Sequence, residues 1–338
     1  MSFNELGLSP ELLRALKPKS YPEPTPVQRE FIPVALTGQD IWVTAPTGSG
    51  KTVAYALPLI EHLTRSAAQP ATVLGRNTKT PQTLVLVPTR ELAIQVGQTF
   101  MSLSAHLGKL CKVTVVFGGV SINPQMMGLR GGTDILIATP GRLLDLMDHN
   151  ALKISQVQTL VLDEADKLLE LGFQDELRQI LDALPHKRQN LFLSATRPSS
   201  IESLAHSLLV QPHEIHIVGE TPQPAVIAQR VIYTDTSKRT QLLKHLIKSQ
   251  QLKQVLVFVA TQHSCDIVAA KLRVAGIAAE PFHGQLSQGK RQQVLADFKA
   301  HRVKVVLATD LAARGLDIEK LPTVVNFDLP RSAVDYTH

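Results

Sequence analysis

Short runs of apolar and largely β-branched residues recur along this chain, and each is followed by a stretch of helical character. Examples in the first part of the chain are "DIWVTAP" (40–46), "TLVLVPT" (83–89), "KVTVVFGG" (112–119), "DILIATP" (134–140), "TLVLDE" (159–164) and "NLFLSAT" (190–196). Strands that are apolar on both faces and alternate with helices are typical of a parallel sheet that is covered on both sides. The pattern therefore predicts an α/β fold with a doubly wound parallel sheet.

A polar, proline-rich stretch divides the chain. Residues 219–225, "GETPQPA", cannot hold a helix or a central strand because of their prolines. After them the apolar runs begin again as "QRVIYTD", "QVLVFVAT", "KVVLATD" and "TVVNFDLP". A length of 338 residues fits two domains of ordinary size. We therefore expect two tandem α/β domains at 1–218 and 227–338, joined by a linker at 219–226.

The composition is that of a folded protein. Apolar residues make up 44% of the chain, which excludes an intrinsically disordered protein. The formal net charge of +6 is compatible with a polyanionic partner without requiring one. No apolar run approaches the roughly 18 residues that span a membrane, and the N-terminus lacks the pattern of a secretory signal. Cys111 and Cys265 are interpreted as buried free thiols, so we expect a soluble cytoplasmic protein.

Three further features receive structural interpretations. The polar segment 66–81 is expected to form a loop inserted in the first domain, and Trp42 is expected to pack in the core within its strand. His213 and His216 stand three residues apart in "PHEIH". Because no third metal ligand is evident near them, they are interpreted as surface residues.

The segment "APTGSGKT" follows the first apolar run and precedes the helical stretch "VAYALPLIEHL". Its two glycines let the backbone curl so that N–H groups point at phosphate oxygens. Its lysine is placed to reach the terminal phosphates, and its last threonine hydroxyl is placed to bind Mg²⁺. The strict phosphate-loop pattern begins with Gly and this segment begins with Ala, but its last five residues are intact. The predicted nucleotide-binding residues are Ala45, Pro46, Thr47, Gly48, Ser49, Gly50, Lys51 and Thr52.

A second polar cluster follows the run "TLVL", where Asp163, Glu164 and Asp166 bring three carboxylates together. Clustered carboxylates repel one another unless a cation or hydrogen-bond donors lie among them. We expect the strand before Asp163 to lie beside the phosphate loop, and Asp163 to hold Mg²⁺ through water. Glu164 is placed to orient or deprotonate the water that attacks a γ-phosphate. Asp166 is less suited to the metal, and the preference of acids for a helix N-terminus explains its position.

"DEAD" at 163–166, together with "APTGSGKT", resembles the DEAD-box ATP-dependent RNA helicases of superfamily 2, which have two RecA-like domains. Other family elements follow in order over essentially the whole chain, and they are Phe3, "YPEPTPVQ" (21–28), "PTREL" (88–92), Gly118-Gly119, "TPGR" (139–142), "SAT" (194–196), "VFVAT" (257–261), "HGQLSQGKR" (283–291) and "ATDLAARGLD" (308–317). The family usually has Gly before the aromatic residue of the second element, where this chain has Ser20. The N-terminal "SFNELGLSPELL" resembles the bacterial RhlE-like subgroup.

The resemblance implies ATP with Mg²⁺ as the cofactor. Gln28 is expected to read the edge of the adenine, with Phe3 stacking near it and Tyr21 in the same element. In the second domain, Gly315 and Asp317 are expected to reach the nucleotide, with Asp317 at the ribose.

The resemblance also implies catalytic roles. "SAT" is expected to link hydrolysis to closure of the two domains, and Thr52 and Asp163 are expected to hold the metal. The residues expected to be catalytic are Lys51, Asp163, Glu164, Ser194 and Thr196.

Loops at the strand ends of the first domain fit a sugar-phosphate track. Threonine and arginine donors there, with glycines that permit close approach of the backbone, suit contacts that carry no base readout. Aromatic residues are 4% of the chain, so base stacking should contribute little. In the second domain the resemblance adds a threonine that faces RNA, and Arg314, which helps to order its loop. The residues expected to bind RNA are Thr89, Arg90, Gly118, Gly119, Thr139, Arg142 and Thr309.

These expectations describe an enzyme that couples ATP hydrolysis to local unwinding of RNA duplexes or to remodelling of RNA–protein complexes. One alternative is a nucleotide-gated RNA clamp with little turnover. Another is a DNA helicase of a related family, which would lack contacts to 2′-OH groups. The expected partner is RNA of any sequence, single-stranded or as a short duplex, and not a membrane. Ribosome-assembly and RNA-decay factors are the classes of protein partner considered.

The resemblance also bears on the end of the chain, "DYTH". In the family a histidine at the position of His338 opens a further motif, whose arginines reach the γ-phosphate and which a strand and a helix follow. Arg314 and Arg331 do not lie at the matching positions. The resemblance thus predicts a fragment with an incomplete second domain, an unpaired sheet edge around "TVVNFDL" and hydrolysis near background.

Overall fold

The structure, a computed structural model, describes residues 2–16, 21, 23–68, 80–105, 111–217, 228–313, 318, 321–329 and 336. The chain divides into two compact units, Met1–Val226 and Ile227–His338. The predicted linker at 219–226 lies outside the described residues, and so do residues 69–79 of the expected insertion loop. The first residues of that insertion are helical, because the preceding helix continues to Ala68.

Strands and helices alternate along the first unit. Its strands are β1 (Ile41–Thr44), β2 (Thr83–Leu86), β3 (Val113–Val116), β4 (Ile135–Ala138), β5 (Thr159–Leu162), β6 (Gln189–Ser194) and β7 (His213–His216). Its helices are α1 (Pro10–Leu16), α2 (Pro26–Ala35), α3 (Lys51–Ala68), α4 (Arg90–Ser104), α5 (Asn123–Leu129), α6 (Pro140–Asp148), α7 (Ala165–Glu170), α8 (Gln174–Ala183) and α9 (Ser199–Leu208). Strands β1 to β6 coincide with the six apolar runs quoted for this part of the chain.

The strands of the first unit form one parallel sheet with the order β3-β4-β2-β5-β6-β1-β7. Strand β6 lies between β1, which precedes the phosphate loop, and β5. The strand before Asp163 is therefore one strand removed from β1 and does not pair with it. Parallel strands are joined by helical crossovers, which allow a later strand to enter between two earlier ones. All seven strands end at the same edge of the sheet, and this edge carries the phosphate loop and the carboxylates.

Both faces of this sheet are covered by helices. Ile41 and Val43 of β1 belong to one apolar cluster, which includes residues of α2, α3 and α4. Trp42 belongs to a second cluster on the other face, which includes residues of α6 to α9. Burial of both faces explains why the central strands are apolar at successive positions. Trp42 packs in the core, as expected.

Strand β7 has no counterpart in the sequence predictions. It pairs in parallel with β1 at the edge of the sheet, where Ile215 is buried and its three neighbours in the strand are exposed. One buried apolar position is too weak a pattern to indicate a strand. His213 and His216 are surface residues, as interpreted.

The second unit holds a four-stranded parallel sheet with the order β11-β8-β10-β9. Its strands are β8 (Val255–Phe258), β9 (Ala279–Phe282), β10 (Val305–Ala308) and β11 (Thr323–Asn326). Its helices are α10 (Arg239–Ser249), α11 (Gln262–Val274), α12 (Gln288–Lys299) and α13 (Asp310–Ala313). Apolar clusters lie on both faces of β8. The predicted fold class, two α/β units built on parallel sheets, is confirmed.

Two segments of the second unit differ from the prediction. The run "QRVIYTD" is not a strand, since residues 228–235 have no regular structure and Val231 and Tyr233 are 78% and 95% exposed. Strand β9 contains Pro281, which weakens the strand signal in its sequence. Proline is tolerated there because β9 lies at the edge of the sheet and needs fewer backbone donors.

Strand β11 lies at the opposite edge of this sheet. In the described part of the chain it pairs with β8 alone, and its Val324 is 51% exposed. Asp328 follows the strand and accepts hydrogen bonds from Arg239 Nη1 (2.6 Å) and from the backbone N–H of Ala260 (2.9 Å). These bonds attach the end of β11 to α10 and to the loop after β8. Among the described helices of both units, none is long and apolar enough to cross a membrane.

Candidate nucleotide and RNA site

The phosphate loop connects β1 to α3. Gly48 and Gly50 have positive φ angles of 78° and 91°, which side-chain-bearing residues adopt at a cost. Lys51 is the first residue of α3, and its ammonium donates to the carbonyls of Ala45 (2.6 Å) and Pro46 (3.0 Å). The loop is therefore curled around its own lysine, with the N-terminus of α3 behind it. Ser49 contributes a hydroxyl that donates to the Pro46 carbonyl at 2.8 Å.

Gln28 joins the element "YPEPTPVQ" to the phosphate loop. Its amide nitrogen donates to the carbonyl of Gly50 (3.2 Å), and its amide oxygen accepts from the backbone N–H of Thr25 (3.0 Å). The second bond belongs to a capping box that begins α2. A β-carbon on Gly50 would meet the Gln28 amide at 2.6 Å, so the glycine allows this close packing. The structure thus places Gln28, 2% exposed, as a support of the loop.

The two aromatic residues of the predicted adenine region lie against the core. Phe3 is buried in the apolar cluster on the α2–α4 face, and Tyr21 is half-buried against the same cluster. Their stacking on a base stays a prediction.

Asp163 follows β5 and is buried. Its Oδ2 accepts a hydrogen bond from the hydroxyl of Tyr55 at 2.8 Å, and its backbone N–H donates to the carbonyl of Leu86 at 3.0 Å. Burial raises the pKa of the Asp163 carboxyl, and the Lys51 ammonium opposes the shift. Burial likewise lowers the pKa of Lys51, against the pull of Asp163 and Glu164. The loop lysine and the first carboxylate of "DEAD" are therefore electrostatic neighbours.

Glu164 is the N-cap of α7 and adopts a left-handed backbone conformation, with φ 52° and ψ 51°. A non-glycine residue in this region is strained, and such strain clusters at functional sites. Its carboxylate lies 3.5 Å from the ammonium of Lys167 one turn later. Burial raises the pKa of Glu164, and Lys167 opposes the shift. A carboxylate with a raised pKa is a stronger base, which suits the predicted role toward water.

Asp166 has a role that the sequence reasoning missed. It lies in the first turn of α7, as the helix-dipole interpretation expects, but its Oδ2 also accepts three hydrogen bonds from "SAT". The donors are the backbone N–H of Ala195 (3.1 Å) and both the N–H (3.0 Å) and the hydroxyl (2.9 Å) of Thr196. Ser194, which is fully buried, donates its hydroxyl to the carbonyl of Thr196 at 2.6 Å. The predicted coupling element is thus built directly onto the acidic cluster.

Arg197 is a second residue that the sequence reasoning missed. Its guanidinium lies 3.6 Å from the centroid of the Trp42 ring and 3.1 Å from Glu214 Oε2 on β7. These contacts attach Arg197, which follows "SAT", to β1 and to the edge strand β7. The sequence did not indicate these contacts, because Trp42, Arg197 and Glu214 are far apart along the chain.

The residues present fit a magnesium–triphosphate group. Lys51 supplies a cation at the loop, Thr52 supplies a hydroxyl at the start of α3, and Asp163 supplies a buried carboxylate. Buried carboxylates with raised pKa values are held ionised when a divalent cation lies among them. The chemistry of these donors is therefore that of the predicted Mg²⁺-nucleotide site.

Four of the predicted RNA-binding residues are brought together. The Arg90 guanidinium lies against Gly119, whose φ is 74°, at the place where a β-carbon would be. The hydroxyl of Thr139 accepts from the backbone N–H of Gly118 at 3.3 Å. Contacts among these four residues thus connect the segments that follow β2, β3 and β4.

Thr89 and Arg142 have local structural partners. The Thr89 hydroxyl caps α4 by accepting from the backbone N–H of Leu92 at 3.2 Å. Arg142 is buried, and its Nη2 donates to the carbonyl of Val120 at 2.7 Å. Arg142 thus packs against the glycine turn through Nη2, and its contact with RNA stays a prediction.

The second unit contributes fewer described positions. Thr309 follows β10 and is half-buried at the carboxyl edge of its sheet. Its carbonyl accepts from the N–H groups of Ala312 and Ala313 at 3.0 Å. Arg314, Gly315 and Asp317 lie outside the described residues.

Two family descriptions match the chain. The DEAD/DEAH box helicase family matches residues 25–204, and the helicase conserved C-terminal domain matches residues 237–338. DEAD-box ATP-dependent RNA helicase 20 of Arabidopsis thaliana is 38% identical over 340 residues, covering 100% of this chain and 66% of that protein. DEAD-box ATP-dependent RNA helicase CshA of Streptococcus pneumoniae serotype 4 is 37% identical, covering 100% of this chain and 62% of that protein. The chain thus spans less than two thirds of these relatives' length.

Solved structures show the same fold. Dbp5 of S. cerevisiae bound to RNA and ADP BeF3 has a TM-score of 0.80 and 27% identity, over 98% of this chain and 82% of that one. A DEAD box protein from Methanococcus jannaschii has a TM-score of 0.57 and 34% identity, over 100% of this chain and 88% of that one. The RhlE-like placement is not confirmed by these relatives and stays a prediction. From the family match and the identity across its whole length, the chain belongs to the DEAD-box family of ATP-dependent RNA helicases.

Proposed function

We propose that the protein is an ATP-dependent RNA helicase, which binds RNA through its backbone and couples ATP hydrolysis to local duplex unwinding or remodelling. The observation that carries the proposal is the bonding of Asp166 to Ala195 and Thr196 beside the phosphate loop. This contact connects the carboxylates that would act in hydrolysis to a loop outside the nucleotide site. Such a connection is needed in a protein whose hydrolysis does mechanical work, and not in a simple nucleotide-binding module.

Each residue of the nucleotide site has a role in this proposal. The N–H groups of the phosphate loop and Lys51 hold the phosphates, and the carbonyl partners of Lys51 are exchanged for phosphate oxygens. Thr52 and Asp163 would hold Mg²⁺, which would supply positive charge against the transferred phosphoryl group. Glu164 orients the attacking water and accepts its proton. Gln28 supports the loop and gives preference for adenine by exchanging one of its two amide contacts.

RNA lies along the carboxyl ends of β2 to β4 in this proposal. Arg90 and the turn at Gly118 and Gly119 contact phosphates, while Thr139 and Arg142 hold that turn in place. Because these groups meet the sugar-phosphate backbone, affinity depends on salt and little on base sequence. The RNA and nucleotide analogue bound to Dbp5 support this assignment by similarity of fold and family.

The test is phosphate release by the purified chain with ATP and Mg²⁺, alone and with single-stranded RNA or DNA of equal length and sequence. We expect phosphate release to be slow, as the resemblance predicts for this sequence, and to rise with RNA and little with DNA. Lys51→Ala should lose nucleotide binding, whereas Glu164→Gln should keep binding and lose hydrolysis. Lys153→Ala, an exposed lysine after α6, is the matched control and should behave as the unchanged chain.

Other outcomes select other functions. Binding of ATP and RNA without turnover would indicate the nucleotide-gated clamp, and equal stimulation by DNA would indicate a DNA helicase. Equal competition by GTP and ATP would contradict the adenine role of Gln28.

A cytoplasmic location is part of the proposal, with ribosome-assembly or RNA-decay factors as protein partners. The two cysteines support a reducing compartment, because both are free thiols. Fractionation of cells that express the tagged protein, followed by RNase-treated pull-down, tests both statements.

A further inference from the structure

Tyr55 lies one helical turn after Thr52 in α3 and is fully buried. Its hydroxyl donates to Oδ2 of Asp163 at 2.8 Å, across 108 positions of sequence. The phenol therefore lies on the same helix as one proposed metal ligand and bonds directly to the other. It belongs to neither of the motifs that suggested the site.

The surroundings of Tyr55 do not by themselves require a hydroxyl. Its ring packs 6.0 Å from Phe100, centroid to centroid, within the apolar cluster on that face of the sheet. Phenylalanine would fill the same space, and a buried hydroxyl is unfavourable unless it has a partner. Its partners here are the carboxylate of Asp163 and the side chain of Thr52, so the hydroxyl serves the site and not the packing of the core.

The hydrogen bond has a consequence for Asp163. A carboxylate at a strand end can rotate about its side-chain torsions, and a donor on one oxygen restricts that rotation. Oδ2 is engaged by Tyr55, and the backbone N–H of Glu164 also bonds to the carboxylate, so a hydrated metal would be received by the acceptor capacity that remains. Partners of this kind orient metal ligands, and their removal weakens metal binding about 10–100-fold.

We propose that Tyr55 is a positioning residue of the Mg²⁺-nucleotide site, acting by holding the carboxylate of Asp163 in the orientation that receives the hydrated metal. The inference rests on the proposed function. It adds to the site a residue whose effect is confined to Mg²⁺-dependent binding. If Tyr55 were merely structural, its hydroxyl would only tie α3 to β5. Removing the hydroxyl would then lower stability and would affect nucleotide binding equally with and without Mg²⁺.

The experiment measures the affinity of a fluorescent N-methylanthraniloyl-ADP for the purified chain, in excess MgCl₂ and in EDTA, together with Tm. Tyr55→Phe removes the hydroxyl and keeps the ring. We expect its affinity in MgCl₂ to fall about tenfold and its affinity in EDTA to equal that of the unchanged chain. The concentration of Mg²⁺ that gives half of the affinity gain should rise by a similar factor.

Two further variants separate position from stability. Thr64→Val removes a hydroxyl from the same helix, where it bonds to the carbonyls of Ile60 (3.1 Å) and Glu61 (2.8 Å), and should change Tm without changing the Mg²⁺ dependence. In an Asp163→Asn background, Tyr55→Phe should weaken Mg²⁺-dependent binding no further, because the residue acts through Asp163.

The outcomes are distinguishable. An unchanged Mg²⁺ dependence in Tyr55→Phe, whatever its Tm, overturns the positioning role while the proposed function stands. A further loss in the Asp163→Asn background overturns the route through Asp163. Failure of the unchanged chain to bind the nucleotide in either buffer overturns the proposed function and this inference together.

Discussion

Asp166 holds Thr196 by two hydrogen bonds, since its Oδ2 accepts from both the backbone N–H and the hydroxyl of a residue 30 positions away. A third bond comes from the N–H of Ala195. The last carboxylate of "DEAD" is thus an acceptor that shapes the neighbouring loop, while the first lies near the lysine of the phosphate loop. One short motif therefore serves two parts of the site.

Asp166→Ala should lower stability and uncouple hydrolysis from RNA. Two backbone N–H groups and a hydroxyl lose their acceptor, and a buried polar group left unpaired costs about 1–3 kcal/mol. We expect a lower Tm and a loss of RNA stimulation, with nucleotide affinity retained. Thermal unfolding, nucleotide binding and phosphate release test this. Asp182→Ala on α8, an exposed carboxylate, is the control. Normal RNA stimulation in Asp166→Ala would contradict the coupling role.

Gly119→Ala should weaken RNA binding and spare ATP binding. Its φ of 74° disfavours a side chain, and the new methyl group would displace the Arg90 guanidinium. We expect the Kd for a labelled single-stranded RNA to rise about tenfold, equivalent to about 1.4 kcal/mol, by fluorescence anisotropy. Gly128→Ala in α5 has open space around its added β-carbon and serves as the control. Equal RNA affinity in the two variants would place RNA elsewhere.

Arg90 and Arg142 should respond differently to salt. Arg90→Ala removes a proposed phosphate contact, so the slope of log affinity against log salt should become shallower by about 0.7. Arg142 is buried beneath the turn that contains Val120, so its removal should lower Tm more than it changes the slope. RNA titrations at several salt concentrations measure both. A shallower slope for Arg142→Ala with unchanged Tm would support the direct contact that the sequence predicts.

Cys265 is buried as predicted, whereas Cys111 is half-buried, and we expect both thiols to be protected in the folded chain. Burial raises the pKa of Cys111 and of Cys265 to about 12, whereas an unfolded thiol ionises near pH 8.5. At pH 8, labelling with Ellman's reagent should therefore be about a thousandfold slower in the native state than after unfolding. Their contribution to stability is complete below about pH 8.5 and is lost as the pH rises toward 12, because the unfolded state ionises first.

Single Cys→Ser variants assign each labelling rate to its thiol, and unfolding at a series of alkaline pH values measures the stability change. Rapid native-state labelling of either thiol at pH 8 would show that its side chain reaches solvent.

The strands and the nucleotide site were largely accessible from the sequence. Runs such as "TLVL" before Asp163 are apolar on both faces, and a two-sided apolar strand is stable only under two layers of helices. The phosphate loop could also be predicted from neighbouring residues alone. Gly48 and Gly50 permit the curled backbone, and Lys51 follows directly at the start of the helix. Periodicity and local backbone preference carried this information.

What tertiary structure decided is which distant groups meet. Strand β6 enters between β1 and β5, Tyr55 reaches Asp163, Asp166 captures "SAT", and Arg142 turns inward under Val120. A weak local pattern also explains why two edge strands were not predicted. Strand β7 has one buried apolar position, and strand β9 contains a proline. The sequence by itself determined the elements and the chemistry at their ends, because these follow from short-range pattern. Partner choice within the site was decided by the crossovers and by burial, since a buried polar group must bond to whatever packing brings within reach.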